Sequence, residues 1–348
     1  MVLAVQFPRG RLSDARGLEG SVELATALLQ KGPEGMEPEV FSERLEGTGS
    51  ELYSEVGEEH VVVGMRLLSR FADQAVELFR DTVLRPALLP AELKRLKTEL
   101  MTSIEAERAD PASMAVKHFN AQLFGAHHPA GSSASVESVR RIRLEDIRSM
   151  CDRTFVPDGA TLVVAGDFVP ERMTAALEPL QEKWTGGEHG TGEAVGGPDA
   201  PEGSVIRLVD KPDLTQASVL LGHGMPGEVG DHRHEIALAN YILGGGSFSS
   251  RLMSEVRSRL GQAYSVASHV ARCRRFGTFT VSTSTATEEL RRTIDTVLDV
   301  YRRFSDEGVT EEELEKARQY ATGSLAFQFE GIENVAEKLL WLRLYGRR

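Results

Sequence analysis

The stretch Leu243–Tyr264, LGGGSFSSRLMSEVRSRLGQAY, decides the fold because it holds a recognisable series of elements in a fixed order. A helix with apolar periodicity over Asp231–Leu243 ends at three glycines, of which Gly244 is interpreted as the helix cap. A short helix over Ser250–Arg259 follows, and a strand begins at Ala263. The glycines lack the strand–GxGxxG–helix and Gly-Lys-Ser/Thr contexts, so no phosphate-binding loop is predicted.

The same order of elements occurs in the first half of the chain, where a helix ends at a Gly-Pro pair and leads to a short helix and a hairpin. The elements predicted for the first half are strand Val2–Phe7, helices Gly17–Lys31 and Pro38–Glu46, strands Glu51–Val56 and His60–Leu67, helices Phe71–Leu84, Pro90–Arg108, Pro111–Phe124 and Leu144–Phe155, strand Thr161–Ala165 and helix Pro170–Lys183. Those predicted for the second half are strands Val205–Val209 and Ala217–Leu221, helices Asp231–Leu243 and Ser250–Arg259, strands Ala263–Val270 and Gly277–Thr283, and helices Glu288–Asp306, Thr310–Phe327 and Ile332–Tyr345. The agreement predicts an internal duplication at the scale of a domain.

The clearest break between the two copies is Thr185–Ser204, which is rich in Gly, Pro and Glu and has no hydrophobic period. We therefore predict a domain over residues 1–184, a flexible linker over 185–204 and a second domain over 205–348. Each copy mixes strands that form hairpins with several helices, so the predicted fold class is α+β, with mainly antiparallel sheets packed against helices.

Comparison of the two copies predicts that both ends of the chain are incomplete. The strand Val205–Val209 that opens the second copy has no counterpart before Met1, and the block Gly125–Trp184 that closes the first has none after Arg348. We expect an opening strand and a closing stretch of about 60 residues to be missing.

Composition excludes several classes of protein. The 348 residues are 41% hydrophobic and 26% charged, as in soluble globular proteins. The net charge of −12, from 40 basic and 52 acidic residues, argues against a nucleic-acid partner. No window approaches the roughly 18 apolar residues of a membrane span, so membrane insertion is not expected. Cys151 and Cys273 are too few and too far apart for a disulfide framework and are predicted to be small core or strand-edge residues.

The tandem units, with these local sequences, resemble the pitrilysin/insulinase family of zinc peptidases, which includes the mitochondrial processing peptidases and their bacterial homologues. Leu243–Tyr264 is similar to the family's Gly-rich turn, its Ser-Arg-Leu helix and the ending that carries an Arg and a Tyr. Further similar stretches are Phe124–Gly131 (FGAHHPAG), the strand with Val164–Gly166, and Gly308–Arg318 (GVTEEELEKAR). The resemblance covers essentially the whole chain and implies that its two domains form half of a clamshell.

The resemblance also locates a zinc helix that has lost its ligands. In the family this helix carries His-x-x-Glu-His, in which positions i, i+3 and i+4 share one face and supply two imidazoles and a general base. The register set by Lys31 and Gly32 places Glu23 at the first His, Thr26 at the base and Ala27 at the second His.

The family's third ligand is a Glu on a later helix, about eight residues before a Pro. Counting back from Pro111 reaches Ser103, and a small register change reaches Glu99 or Glu105. Because a catalytic zinc site needs three good ligands, we expect no metal on this chain and no peptidase activity from the chain alone.

The histidines offer no obvious substitute site. His223, His232 and His234 cluster around a turn, and His127 and His128 are adjacent, but none has Cys partners or helical i, i+4 spacing. They are interpreted as surface or turn residues.

Four residues are expected to contact substrate. In the family an Arg and a Tyr seven residues later hold the substrate backbone and the developing oxyanion near zinc, and Arg257 and Tyr264 match this pair. Without the resemblance, the two would be interpreted as a solvated helix charge and a half-buried strand residue. Gly245 and Gly246 correspond to a turn that lines the peptide chamber. By analogy of fold, Glu51–Val56 is the sheet edge that an extended peptide would join.

The resemblance therefore predicts the non-catalytic subunit of a heterodimeric zinc metallopeptidase, similar to the processing peptidase. Its expected partners are a zinc-bearing homologous subunit and an extended peptide, so the zinc cofactor is expected on the partner. The expected location is a bacterial cytoplasm or periplasm, as a soluble protein. One alternative is a structural core-type subunit of a larger assembly with no role in proteolysis. Another is an independently active peptidase with altered ligands, which would hold stoichiometric zinc.

Overall fold

The computed structural model describes residues 1–184, 195–197, 203–228 and 232–347. Most of the predicted linker over 185–204 therefore lies outside the described residues. Within them the chain is a mixture of helices and two antiparallel sheets, which confirms the predicted α+β fold class.

The elements are numbered in chain order. The strands are β1 (Val2–Phe7), β2 (Glu51–Val56), β3 (Val61–Arg66), β4 (Thr161–Ala165), β5 (Gln216–Pro226), β6 (Ala263–Arg272) and β7 (Phe276–Ala286). The α-helices are α1 (Ser21–Leu29), α2 (Pro38–Gly47), α3 (Ala72–Leu84), α4 (Pro90–Glu107), α5 (Pro111–Phe124), α6 (Val136–Arg141), α7 (Leu144–Thr154), α8 (Pro170–Lys183), α9 (Arg233–Asn240), α10 (Leu290–Glu307), α11 (Glu311–Leu325) and α12 (Ile332–Leu344). Two segments, Tyr241–Gly245 and Met253–Arg259, are π-helical.

The first sheet has the order β2-β3-β1-β4, and all its neighbours are antiparallel. Every residue of β1 is buried because this strand is central and both of its faces are covered. One face packs on a large core to which α1, α3 and α7 contribute. The other face packs on α12 through Ala336 and Leu340. The strand β2 is at the edge of the sheet, as the analogy expected for Glu51–Val56.

The second sheet has the order β5-β7-β6 and is also antiparallel. Its core includes Leu252 and Val256 from the segment after the glycines and Val297 from α10. The helix α5 packs against β5, where the bare backbone of Gly222 lies close to the ring of Phe119.

The chain divides into two compact units, and neither is continuous in sequence. One helix from each half of the chain belongs to the unit formed mainly by the other half. The first unit comprises residues 1–106, 133–195 and 328–348, and the second comprises 107–132 and 196–327. The helix α12 thus belongs to the first unit and α5 to the second. The division of the sequence at 1–184, 185–204 and 205–348 stays a prediction about two related copies.

The predicted strand Val205–Val209 is wrong. These residues form no strand in the described part of the chain, and the side chains of Ile206 and Leu208 are 95% and 82% exposed. Alternating apolar residues favour a strand only where a neighbouring strand accepts their backbone hydrogen bonds.

One helix begins later than predicted, and another was not predicted. The first begins at Ser21 rather than Gly17 because both Gly17 and Gly20 adopt positive φ, of 84° and 103°. The short helix α6 was not predicted, although Ser135 and Ser138 form a capping box at its start.

Candidate functional site

A half-buried carboxylate, that of Asp14, lies at the start of helix α1. Asp14 accepts hydrogen bonds from the backbone N–H groups of Gly20, at 2.8 Å, and Val22, at 2.9 Å. These donors are orphan groups at the start of a helix, so Asp14 caps α1 from the preceding loop. Burial raises the pKa of Asp14 to about 6, against the lowering effect of the two hydrogen bonds.

The face of α1 at the family's ligand spacing holds an ion pair rather than a metal site. An oxygen of Glu23 lies 3.8 Å from the guanidinium of Arg11, which is also 3.8 Å from Glu58. Thr26 is buried and donates its hydroxyl hydrogen to the carbonyl of Val22 at 2.7 Å. Ala27 offers only a methyl group. The one carboxylate on this face is thus beside a fixed cation, and the one hydroxyl is already satisfied within the helix.

The predicted third ligand position does not complete a site. Ser103 lies exposed on α4, next to the buried Ile104. Of the alternatives, Glu99 forms an ion pair with Arg95, and Glu105 is exposed. No group of three or more His, Cys, Asp or Glu residues that could hold a metal ion is found in the described part of the chain. Since a catalytic zinc needs three such ligands, the side chains present do not fit the zinc that the family implies.

Two of the histidines and both cysteines contact other protein groups in ways typical of structural residues. His223 is within hydrogen-bond distance of the hydroxyl of Tyr301, at 3.0 Å, and His128 stacks on Phe124. Cys151 and Cys273 are both buried, and the two are not joined in a disulfide. Burial raises the pKa of the Cys151 thiol to about 12, which makes it a poor nucleophile.

The Gly-rich turn is shaped by a close approach of backbones. A Cβ on Gly244 would lie 2.6 Å from the backbone nitrogen and the hydroxyl of Ser268 and 2.8 Å from Leu252. Gly244 is therefore required by packing, and its interpretation as a helix cap is wrong, because it lies inside the π-helical segment Tyr241–Gly245. Widened turns of this kind are frequent at functional sites.

Gly245 and Gly246, the two glycines predicted to contact peptide, come directly after Gly244 in the sequence. Gly245 is exposed, and Gly246 donates its N–H to the carbonyl of Tyr241 at 2.8 Å. The ring of Tyr241 stacks on Tyr320 of α11, with the ring centres 4.4 Å apart. The turn is therefore held on one side by α11, and Gly245 in it is exposed.

Arg257 and Tyr264 are brought together, as their predicted common role requires. The guanidinium carbon of Arg257 lies 5.0 Å from the ring centre of Tyr264, and 4.8 Å from that of Phe248. Arg257 thus contacts two aromatic rings, whose faces attract a cation. The rings of Tyr264 and Phe248 are 84% and 70% exposed.

A β-bulge directs the side chain of Tyr264 outward. Ala263 pairs with Thr285 and Val266 with Thr283, so two residues of β6 face one residue of β7. The hydroxyl of Thr283 donates to the carbonyl of Ser265 at 2.8 Å and so supports the irregular strand. The bulge explains why a strand residue predicted from the sequence alone to be half-buried is open to solvent.

The segment that carries Arg257 is anchored at its start. The guanidinium of Arg251 donates two hydrogen bonds to the carboxylate of Glu313 on α11, at 2.6 and 2.7 Å. This forked pair lowers the pKa of Glu313 to about 2, with Arg251 as the main cause. Glu313 also accepts a hydrogen bond from the backbone N–H of Thr310, the cap of α11. The segment and α11 are therefore held in one arrangement.

Three residues of these sites were missed by the sequence analysis. Phe248 carried a signal, since a large aromatic residue in a turn of Gly and Ser has no core to enter and is expected to be exposed. Arg11 and Asp14 carried none, because their partners are remote in sequence or lie in the backbone.

The described residues include no helix long and apolar enough to cross a bilayer.

Comparisons with known proteins agree with this architecture. A relative named "Non-peptidase homolog YmxG", from Helicobacter pylori, is 25% identical over 338 residues, which covers 93% of this chain and 74% of the relative. One named "Uncharacterized zinc protease YmxG", from Bacillus subtilis, is 24% identical over 334 residues and covers 95% and 79%. The crystal structure of a peptidase M16 inactive domain from Pseudomonas fluorescens matches all of this chain and 82% of its own, with a TM-score of 0.89 and 23% identity.

The family model that matches is also described as the peptidase M16 inactive domain. It matches residues 141–320, which is more than half of the 348 residues and includes the Gly-rich turn, Phe248, Arg257 and Tyr264. The chain therefore belongs to the peptidase M16 inactive-domain family.

Proposed function

We propose that the chain is the zinc-free subunit of a heterodimeric zinc metallopeptidase and that it contributes peptide-binding groups to the shared chamber. The observation that carries the proposal is the contrast between two sites. The face of α1 lacks a ligand set, whereas the partly exposed Arg257 lies against the exposed ring of Tyr264, and a bulge and an anchored segment support the two. A chain with no remaining contact with substrate would have no need for such an arrangement.

The chemistry of the pair suits a peptide held near a metal on another subunit. The hydroxyl of Tyr264 can donate to a carbonyl oxygen whose negative charge develops during cleavage, and preorganised donors of this kind contribute several kcal/mol. Arg257 adds a fixed positive charge and forked donors. In this proposal the sister subunit holds the zinc and the general base, and this chain supplies hydrogen bonds and closes the chamber.

Two further features support a role in peptide binding. Gly245 is exposed and lies three residues before Phe248 in the sequence, so its backbone can contact a bound peptide. The edge strand β2 leaves unpaired backbone groups in the first unit, and sheet edges commonly bind extended peptides as an added strand. We propose that both contact substrate.

The relatives carry names of two kinds, a non-peptidase homolog and an uncharacterized zinc protease. The ion pair of Glu23 with Arg11 and the satisfied hydroxyl of Thr26 favour the first description for this chain.

Cleavage by the two subunits together tests the proposal. A purified M16 homologue from the same genome with an intact His-x-x-Glu-His helix is assayed on a fluorogenic peptide with and without this chain. We expect the chain alone to be inactive and the mixture to cleave at least about tenfold faster than the sister alone.

Variants of the pair locate the effect. Tyr264→Phe is expected to reduce kcat/KM of the mixture by about tenfold or more, because one donor to the oxyanion is lost. Arg259→Gln is the matched control, since Arg259 lies on the same segment but pairs with Glu255. Unchanged activity of the sister in the presence of this chain, or of the mixture with Tyr264→Phe, would contradict the proposal.

A further inference from the structure

The Arg257 side chain differs from the other arginines of its segment. Arg251 is held by the carboxylate of Glu313, and Arg259 donates to Glu255 at 2.8 Å. No side chain or carbonyl in the described part of the chain accepts a hydrogen bond from the guanidinium of Arg257, which lies against the rings of Phe248 and Tyr264. The sequence thus pairs the neighbouring arginines internally and leaves this one available.

The two rings determine which part of the guanidinium a ligand can reach. A cation–π contact uses the face of the aromatic ring, and Phe248 and Tyr264 lie 4.8 and 5.0 Å from the guanidinium carbon. The N–H groups point outward in the plane of the guanidinium, so they stay free to donate. Contact with two rings also limits the rotamers of Arg257, which reduces the entropy lost when a ligand binds.

The exposed rings give the site a second chemical property. Phe248 and Tyr264 present apolar surface beside the charge, and both are largely exposed in the free chain. A ligand that covers them excludes water from the guanidinium, and a charge-assisted hydrogen bond becomes stronger where water is excluded. The site therefore favours an anionic group attached to an apolar neighbour.

We propose that the pocket of Phe248, Arg257 and Tyr264 binds a peptide carboxylate that lies next to an apolar side chain. A carboxylate accepts two parallel hydrogen bonds from the guanidinium and carries the opposite charge. The carbonyl of a neutral peptide has a single oxygen and no charge, so it binds the guanidinium less strongly. The carboxylate comes either from an Asp or Glu side chain or from a free C terminus. This inference rests on the proposed role in peptide binding and specifies the class of peptide that is bound.

Peptide binding to the isolated chain tests the inference without the sister subunit. Four labelled hexapeptides carry an apolar residue followed by Glu or Gln, each with a free or an amidated C terminus, and their Kd values are measured by fluorescence anisotropy. We expect the amidated Gln peptide to bind about tenfold more weakly than a peptide with a carboxylate in place. A preference for Glu identifies a side chain as the source, and a preference for the free end identifies the C terminus. Equal Kd values for all four peptides would overturn the inference.

Variants show whether the preference arises at this pocket. Arg257→Gln is expected to abolish it, and Phe248→Leu to weaken it severalfold, because the apolar contact remains but the cation–π contact is lost. Arg259→Gln is expected to leave it unchanged. Thermal unfolding of each variant establishes that the protein is folded. A preference that persists in Arg257→Gln would place the carboxylate elsewhere and overturn the inference.

The two hypotheses fail in different ways. If the mixture of subunits is active but all four peptides bind equally, the partner role stands and the carboxylate pocket does not. If the preference depends on Arg257 but the sister's activity is unaffected by this chain, the pocket stands and the partner role does not.

Discussion

Asp14 holds its carboxylate against the first backbone N–H groups of α1 in surroundings that raise its pKa to about 6. In the unfolded chain the same group titrates near the ordinary value of 3.8. Between these two values the folded state binds the proton more readily than the unfolded state. The stability contributed by this group is therefore present at pH values below about 4 and is lost as the pH rises through about 6.

Asp14→Asn is expected to remove this pH dependence, because the amide has the same shape and does not titrate. The free energy of unfolding of the variant relative to the wild type should rise by about 1–2 kcal/mol between pH 4.5 and pH 7.0. Urea unfolding of both proteins at the two pH values measures this change. A difference that stays constant with pH would mean that Asp14 is not the group that titrates.

Single residues also show what the sequence could not predict. The spacing of Arg257 and Tyr264 was readable from the sequence, and the structure places the two side chains together. The exposure of Tyr264 was not, because it depends on a bulge whose extra residue is defined only by the pairing of β6 with β7. Similarly, the sequence predicts a helix cap at Gly244. Its actual role depends on a close contact with Ser268, which is distant in sequence and leaves no local signal.

At the scale of elements, hydrophobic periodicity predicted most helices and strands to within a few residues. It did not predict their neighbours. The apolar stripe of α12 identified a helix with a buried face, but nothing in that stripe indicates that it covers β1 and β4 at the other end of the sequence. The predicted strand over 205–209 failed for the same reason, because strand formation depends on a partner.

The packing of α12 gives a second test. Leu340 is 2% exposed and lies against the residues of β1, whereas Leu339 is 47% exposed. Leu340→Ala is expected to lower the free energy of unfolding of the first unit by about 2–4 kcal/mol. Leu339→Ala, the same substitution one position away, is expected to change it by at most about 0.5 kcal/mol. Urea unfolding followed by tryptophan fluorescence, which reports on Trp184 beside Phe7 of β1 and on Trp341 of α12, measures both. Equal effects of the two substitutions would show that α12 does not pack on this sheet in solution.

At the scale of the whole molecule, the two compact units differ in the functional residues that they carry. In the first unit the face of α1 carries Glu23 beside Arg11 and the buried Thr26, which form no zinc site. In the second unit Arg251 anchors the segment that carries Arg257, and the ring of Tyr264 is exposed. This difference is the basis for proposing that catalysis is divided between two chains.

The family could be inferred from the sequence because its motifs are local, and the family model confirms that inference. The partner and the substrate could not, since both depend on surfaces that a second molecule completes. The structure places Phe248, like Tyr264, beside Arg257. This third residue is the reason for proposing a pocket that prefers a carboxylate next to an apolar side chain.

Zinc content is the measurement that tests the central claim most directly. The isolated chain and its 1:1 mixture with the zinc-bearing homologue are dialysed against excess zinc and then against metal-free buffer, and bound metal is measured by mass spectrometry. Because α1 and α4 offer fewer than the three ligands that a catalytic zinc requires, we predict less than about 0.1 zinc per isolated chain and about one per pair. One zinc per isolated chain, removed by a chelator together with peptide cleavage, would contradict the account and identify the chain as a peptidase in its own right.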